Sequence, residues 1–397
     1  MSERKAPCTT RAPSVRPLKV RLGEVCKEYS SRNKDGAIKA VFSVTNSQGF
    51  VPSNEYFNKD VFSKDLTTYK VVKKGMFAYN PSRINVGSVG CYREDAPVVV
   101  SPLYIVFGVD ETKVDRRYLL AFLKSDRALV QVRNLTSGSV RDSLKFSAFC
   151  QLKFPGIPLC EQRGTAARLD RICGAIEKRK AQLTQLQQLV KSRFVEMFGD
   201  VLSNDKKWPM EKLGEVTDSR LGKMLDAKKQ TGKNRYKYLA NFNVQWFRID
   251  DSELHEMDFD DAERVEFELK DGDLLVCEGG ESGRCCVWHE QISDCYYQKA
   301  LHRVRCNPEK LFPDFLAYWF WMNCHYGMFE NVIGAKATIA HLPGVKLKKL
   351  NVPIPPLALQ REFAAFVAKV DKLAFAVRRR RDLARKMYRA KIQEYFG

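Results

Sequence analysis

Several short polar segments carry side chains suited to reading the hydrogen-bonding edges of another molecule. In the first half these are Asn80, Ser82, Arg83, Asn85 and Ser88, followed by Ser137, Ser139 and Arg141 within residues 136–142. In the second half they are Glu281, Ser282 and Arg284, followed by Lys336, Thr338 and His341 within residues 334–342. Amide, hydroxyl and guanidinium groups supply the donors and acceptors that base edges require, while Lys, Arg and open backbone N–H groups hold phosphates. Gly87, Gly90, Gly279, Gly280 and Gly283 punctuate these stretches, which places the polar groups on turns between short strands. Any one of them reads equally well as a solvated turn residue; as groups they point to recognition.

The charge balance agrees. Lys and Arg number 67 against 47 Asp and Glu, a formal net charge of +20, which favours a polyanionic partner, nucleic acid foremost, over a merely basic solvated surface. No catalytic motif is recognisable. Asn80-Pro81-Ser82 and Asn307-Pro308-Glu309 lack the second proline and the aromatic residue of an adenine methyltransferase tetrapeptide, and no GxxxxGK[ST] phosphate loop occurs. His289, His302 and His341 are not spaced as a metal motif. A zinc site from Cys277, Cys285, Cys286, His289 and Cys295 is conceivable but has no paired CxxC spacing, so reduced thiols are the simpler reading of the 12 cysteines. Apolar runs fall short of the ~20 residues a membrane span needs, and no targeting segment is evident. A cytoplasmic location is the expectation, with no membrane partner.

The bodies that carry these residues come in duplicate, because the chain repeats itself. Leu22-Gly23-Glu24-Val25 recurs as Leu213-Gly214-Glu215-Val216, Lys74-Gly75-Met76-Phe77 aligns with Asp271-Gly272-Asp273-Leu274, and Tyr118-Leu119 aligns with Phe315-Leu316. Short helices are expected at residues 118–124 and 315–322, within otherwise strand-rich bodies. Each half then ends in a proline-marked boundary and about forty residues of helical pattern. The first helix closes with Glu196-Met197-Phe198-Gly199 and the second with Glu394-Tyr395-Phe396-Gly397. Apolar positions Leu169, Ile172, Ile176, Leu183, Leu186, Val190 and Met197 step by three, four and seven, as do Phe363, Phe366, Val370, Leu373, Val377, Ala384 and Met387. That stripe predicts a coiled-coil seam between two rods each on the order of 60 Å long. An antiparallel pairing would relate the two bodies by an approximate two-fold axis and let them contact sites roughly one DNA turn apart.

The fold class expected is therefore α+β, with a pseudo-two-fold internal repeat. Residues 1–155 form an N-terminal recognition domain, 156–199 a central spacer helix, 200–353 a C-terminal recognition domain and 354–397 a second spacer helix. Arg378-Arg379-Arg380-Arg381 is the densest basic run, fit to track phosphates, to meet an acidic partner, or simply to lie solvated on a helix face.

Over essentially its whole length the sequence resembles the specificity subunits of type I restriction-modification systems. The resemblance rests on Pro158-Leu159-Cys160-Glu161-Gln162-Arg163 and Pro356-Leu357-Ala358-Leu359-Gln360-Arg361 opening the helices. It rests also on Leu-Gly-Glu-Val opening each half, on Val100-Ser101-Pro102, and on Phe-Gly closing each helix. Leu359 departs from the acidic residue usual before the glutamine. The resemblance implies two target recognition domains, each reading one part of a bipartite double-stranded DNA sequence, and no catalysis by this chain. It implies docking of two methyltransferase subunits on the helices, with Gln162, Arg163, Gln360, Arg361 and Arg378 to Arg381 as docking residues, and joining by restriction subunits. No cofactor is expected on this chain; S-adenosylmethionine, ATP and Mg are expected on the partners. A related system with a fused methyltransferase-nuclease, or an enzyme modifying nucleic acid directly, are the alternative readings.

Overall fold

The computed structural model describes residues 18–56, 63, 65–136, 143–201, 203–226, 230–327 and 341–397. Of the expected site residues, Ser137, Ser139, Arg141, Lys336 and Thr338 lie outside the described residues. The chain forms two compact units, residues 1–180 with 379–397 and residues 181–378. The division between these units falls within the two long helices, each of which contributes one portion to each unit.

In the first unit a four-stranded antiparallel sheet runs in the order Cys26–Tyr29, Ile105–Val109, Phe77–Tyr79, Val89–Cys91. Its inner face is aromatic: Phe77 and Phe107 stack at 5.0 Å, and Tyr79 stacks on Phe149 at 5.0 Å. Helices Arg116–Leu123 and Asp126–Thr136 bury Tyr118, Leu119, Phe122, Ala128 and Val132 in the same core. Asp115 caps the first of these, accepting from the N–H groups of Arg117 and Tyr118, so two otherwise orphan donors are satisfied. Two hairpin-like ladders, Phe42–Thr45 with Gly49–Pro52 and Lys70–Val72 with Val98–Val100, complete the body.

The second unit repeats this plan strand for strand, in the order Thr217–Leu221, Leu301–Cys306, Leu274–Cys277, Cys285–Val287. Helix Pro313–His325 takes the place of Arg116–Leu123. The edge ladders correspond too: Leu18–Arg21 pairs with Lys153–Gly156, and Met210–Lys212 with Asn351–Pro353. A three-stranded sheet of His255–Asp258, Arg235–Leu239 and Cys295–Tyr297 flanks this unit's four-stranded sheet, and its parallel pairing of Arg235–Leu239 with Cys295–Tyr297 is echoed in the first unit by the parallel bridge Val41 to Val99.

The repeated tetrapeptides have a steric reason. The Leu22 N–H donates to the Leu152 carbonyl at 2.9 Å and the Leu213 N–H to the Leu350 carbonyl at 2.8 Å, which draws the following glycines against the returning chain. A Cβ on Gly23 would stand 3.0 Å from Cys150 Cβ, and one on Gly214 would stand 3.0 Å from Lys348 Cβ. Gly75 and Gly272, at φ +85° and +86°, make the same left-handed turn into the second strand of each sheet.

Helices Leu159–Phe198 and Leu357–Phe396 each run 40 residues without a break. Within the first unit Arg168 hydrogen-bonds Tyr395 and Cys173 hydrogen-bonds Tyr388, so partner numbers fall as helix numbers rise and the segments are antiparallel. Within the second, Phe194 and Phe198 near the end of one helix both meet Phe363 near the start of the other, each at 5.4 Å, and Arg193 pairs with Glu362 at 2.7 Å. Phe194 and Phe198 also pack on Phe315, while Phe396 packs on Tyr118 and Phe122. The long helices are therefore walls of the unit cores. Burying an aromatic of this size stabilises by roughly 2–3 kcal/mol.

The expected seam needs one correction. Leu169, Val190, Met197, Phe363 and Val370 are buried, but Leu373 is 59% exposed and Met387 is 51% exposed. Val367 and Ala374 take the buried positions on the second helix. A stripe stepping by three and four drifts around a 3.6-residue helix, and packing against each body selects one line of that drift.

Candidate nucleic-acid interface

The turn between strands Phe77–Tyr79 and Val89–Cys91 holds the first group of candidate readers. Asn80 spends its side-chain oxygen on the Ser82 N–H at 3.0 Å, which shapes the turn, and leaves Ser82 and Arg83 exposed with Asn85 half-buried. Ser88 belongs elsewhere: it is 3% exposed and its Oγ donates to the Val44 carbonyl at 2.6 Å. It ties the turn to a neighbouring strand and is buried away from any ligand at the surface.

The equivalent turn in the second unit is more tightly bound. Glu281 accepts from Trp246 Nε1 at 3.0 Å and pairs with Arg284 at 2.8 Å, while Arg284 also donates to the Asn241 carbonyl at 2.9 Å. Ser282 is buried and donates to the Glu278 carbonyl at 3.0 Å. Arg284 and Ser282 thus build the loop, and of this group Glu281 alone is exposed. His341 is exposed and bridges to Gly279, which brings the start of the 341–397 segment beside the same turn. The conceivable zinc set does not assemble, since no group of three or more metal-ligating side chains converges among the described residues. Burial pushes the Cys277 thiol up to about 11 and those of Cys286 and Cys295 up to about 12, so they sit as neutral, packed groups.

Where the long helices begin, the two units share a device. Gln162 is 2% exposed; its oxygen accepts from the Asp115 N–H at 2.9 Å, and its amide donates to the carbonyls of Lys113 at 3.1 Å and Ile157 at 2.8 Å. Gln360 is fully buried and repeats the set with the Phe312 N–H at 2.8 Å and the carbonyls of Lys310 at 2.9 Å and Pro355 at 2.7 Å. Both glutamines point inward, so they are corrected from docking residues to clamps that join a helix entrance to its body. Arg163 and Arg361, one residue on, are exposed. Arg378, Arg379 and Arg380 are exposed too, while Arg381 pairs with Asp382 at 3.0 Å.

Sequence reasoning missed a cleft of about 440 Å³ in the first unit, lined by Lys74, Arg93, Arg116, Arg117 and Arg163 with Tyr92, Glu111 and Asp115. Burial pushes the Asp115 carboxyl up, but hydrogen bonds from the Arg117 side chain and the N–H groups of Tyr118 and Arg117 outweigh it and hold it below the ordinary range. The cations come from four separate segments, so no local charge run advertises them.

Comparison with known proteins gives a consistent result. The Type I restriction modification DNA specificity domain matches residues 205–382. The type I restriction enzyme EcoKI specificity subunit of Escherichia coli (strain K12) is 22% identical over 274 residues, 64% of this chain. The chain spans only 58% of that relative's length. The EcoBI specificity subunit of Escherichia coli is 21% identical over 393 residues, covering 85% of this chain and 78% of the relative. Among solved structures, the S subunit of a type I restriction-modification system from M. genitalium superposes with a TM-score of 0.59 at 11% identity, covering 98% of both chains. A chain from a study of assembly and conformational transition of the type I R-M system gives 0.52 at 15% identity, covering 98% of this chain and 99% of that one. At those identities the structures speak for the fold alone. The domain match lies in the second half and the first half repeats the same strand plan, so the chain is similar to the type I restriction-modification specificity subunits.

Proposed function

We propose that this chain reads DNA for a modification and restriction complex and performs no chemistry itself. Each unit reads one half of a bipartite double-stranded target, and the two 40-residue helices set the spacing of the halves and dock two methyltransferase subunits. Restriction subunits complete the complex, and S-adenosylmethionine, ATP and Mg serve the partner subunits.

One observation carries the reading: an identical four-strand plan with identically clamped helix entrances presents turns of different chemistry. The 80–88 turn offers Ser82 and Arg83 to solvent, whereas the 279–284 turn is drawn in by its Trp246, Glu281 and Arg284 contacts. A common scaffold with divergent loops suits two different half-sites. Base contacts would specify and the surrounding Lys and Arg would position.

The test is to map methylated bases in cells carrying the chain with its methyltransferase, and to incubate the chain alone with S-adenosylmethionine and DNA. The expected result is one discrete two-part sequence in cells and no methyl transfer by the isolated chain. Methylation without a bipartite motif, or transfer by the chain alone, refutes the proposal.

A further inference from the structure

The two units agree in backbone where their charges disagree. Aligned through the strand registers and the glutamine clamps, Lys74 corresponds to Asp271, Arg93 to His289, Arg116 to Pro313, Arg117 to Asp314, and Cys173 to Asp371. Arg163 and Arg361 alone keep their sign. The first unit therefore has a basic cleft of about 440 Å³ at a place where the second unit is acidic. There His289 pairs with Asp271 at 3.0 Å. Burial pushes the Asp314 carboxyl up, with Asp371 and Asp271 adding to it against the pull of His289.

Not all of the cleft's cations are spent internally. Arg116 pairs with Glu111 at 3.2 Å, and Arg117 with Asp115 at 3.2 Å and Asp170 at 3.1 Å. Lys74 pairs with Asp95 at 2.6 Å, but their side chains are 55% and 90% exposed, so that pair is readily exchanged. Arg93 and Arg163 are exposed and make no ion pair among the described residues. Two guanidinium forks face a concave wall bounded by Tyr92, and Glu111 and Asp115 line the same wall.

We infer that this cleft is a docking site for an acidic segment of one methyltransferase subunit, and that the second unit has no counterpart. A concave, mixed-charge lining suits an inserted peptide whose carboxylates meet Arg93 and Arg163 while its N–H groups meet the exposed Glu111. A duplex backbone is convex, rigid and uniformly anionic, and the Glu111 and Asp115 carboxylates oppose it. Arg163 stands on the first turn of a long helix, so the site adjoins the surface already assigned to methyltransferase docking, and the inference rests on that assignment.

The test uses the full chain with the methyltransferase of its own system. Binding is measured by mass photometry over a range of NaCl concentrations for wild type, the reversal Arg93→Glu with Arg163→Glu, the neutral Arg93→Met with Arg163→Met, and Asp271→Lys in the second unit. The expected result is a loss of about tenfold in affinity for one methyltransferase copy in the reversal, a smaller loss in the neutral variant, and a shallower salt dependence in both. Asp271→Lys leaves binding unchanged. In parallel, a duplex carrying the mapped target binds the isolated chain within about twofold of wild type. Unchanged methyltransferase binding by correctly melting reversal variants overturns the inference and leaves the functional reading standing, as does an equal loss for duplex and methyltransferase, which identifies a phosphate contact. Failure of the wild-type chain to bind methyltransferase at all overturns both.

Discussion

Gln360→Ala isolates the helix-entrance clamp. The wild-type side chain is fully buried and makes three hydrogen bonds, at 2.8, 2.9 and 2.7 Å, to backbone groups of Phe312, Lys310 and Pro355. Each net bond is worth about 1 kcal/mol, and a buried N–H or carbonyl left unpaired costs about as much again, so the substitution costs roughly 3–5 kcal/mol. For a unit of this size each kcal/mol lowers the midpoint by about 2–4 °C, giving a drop of roughly 6–20 °C in the transition that includes residues 181–378. Thermal melting followed by circular dichroism, with limited trypsin digestion to show which unit opens first, reads this directly. Gln360→Met keeps the volume and loses all three bonds, and it falls by a similar amount. If Gln360→Met melts with wild type, the hydrogen bonds are not what fastens helix to body and the reasoning fails.

Four further outcomes follow from the same structure. Phe396→Ala removes a ring that is 1% exposed and lies 5.1 Å from Tyr118; it costs about 3–5 kcal/mol and lowers the melting of the first unit while sparing the second. Gly214→Ala puts a Cβ 3.0 Å from Lys348 Cβ and 3.3 Å from its carbonyl oxygen, for a loss of about 1–2 kcal/mol in urea unfolding. Arg83→Ala weakens DNA binding by about 1 kcal/mol and flattens its salt slope by about one, with stability unchanged, whereas Ser88→Ala lowers stability with little direct effect on DNA. Burial pushes the His302 imidazole below its ordinary range, against its hydrogen bond to the Leu342 carbonyl. Acid therefore protonates the unfolded chain first: the second unit holds its full stability above pH ~6.5 and loses it as pH falls toward the depressed folded value, and His302→Gln weakens that dependence in pH-resolved melts.

Much of the architecture was legible because the repeat is literal at its most constrained points. Gly23 and Gly214 leave a Cβ only tight room, Gly75 and Gly272 hold a left-handed turn, and the helices keep equal length, so these landmarks align in the sequence itself. The roles of individual polar residues were less legible, because a hydroxyl or an amide looks the same in a sequence whether it faces solvent or a carbonyl. Ser88, Ser282, Gln162 and Gln360 all proved to be internal ties, a distinction set by strands and loops tens of residues away. Leu373 and Met387 fit a helical stripe equally well from either side of a small rotation. The basic cleft was invisible because Lys74, Arg93, Arg116 and Arg163 converge only after the sheet and helix entrance are assembled.

The seating of Phe396 among Tyr118, Phe122 and Leu169 sets a timetable for biosynthesis. Every other buried member of that core has been translated by residue 169, yet the cluster waits for more than two hundred further residues before its last ring arrives. Residues 181–378 have no such wait, since their own cluster is complete once Val370 has left the ribosome. The half synthesised later is thus the first able to close, and the earlier half spends that interval with an open apolar groove beside Tyr118, a window in which a chaperone would find it.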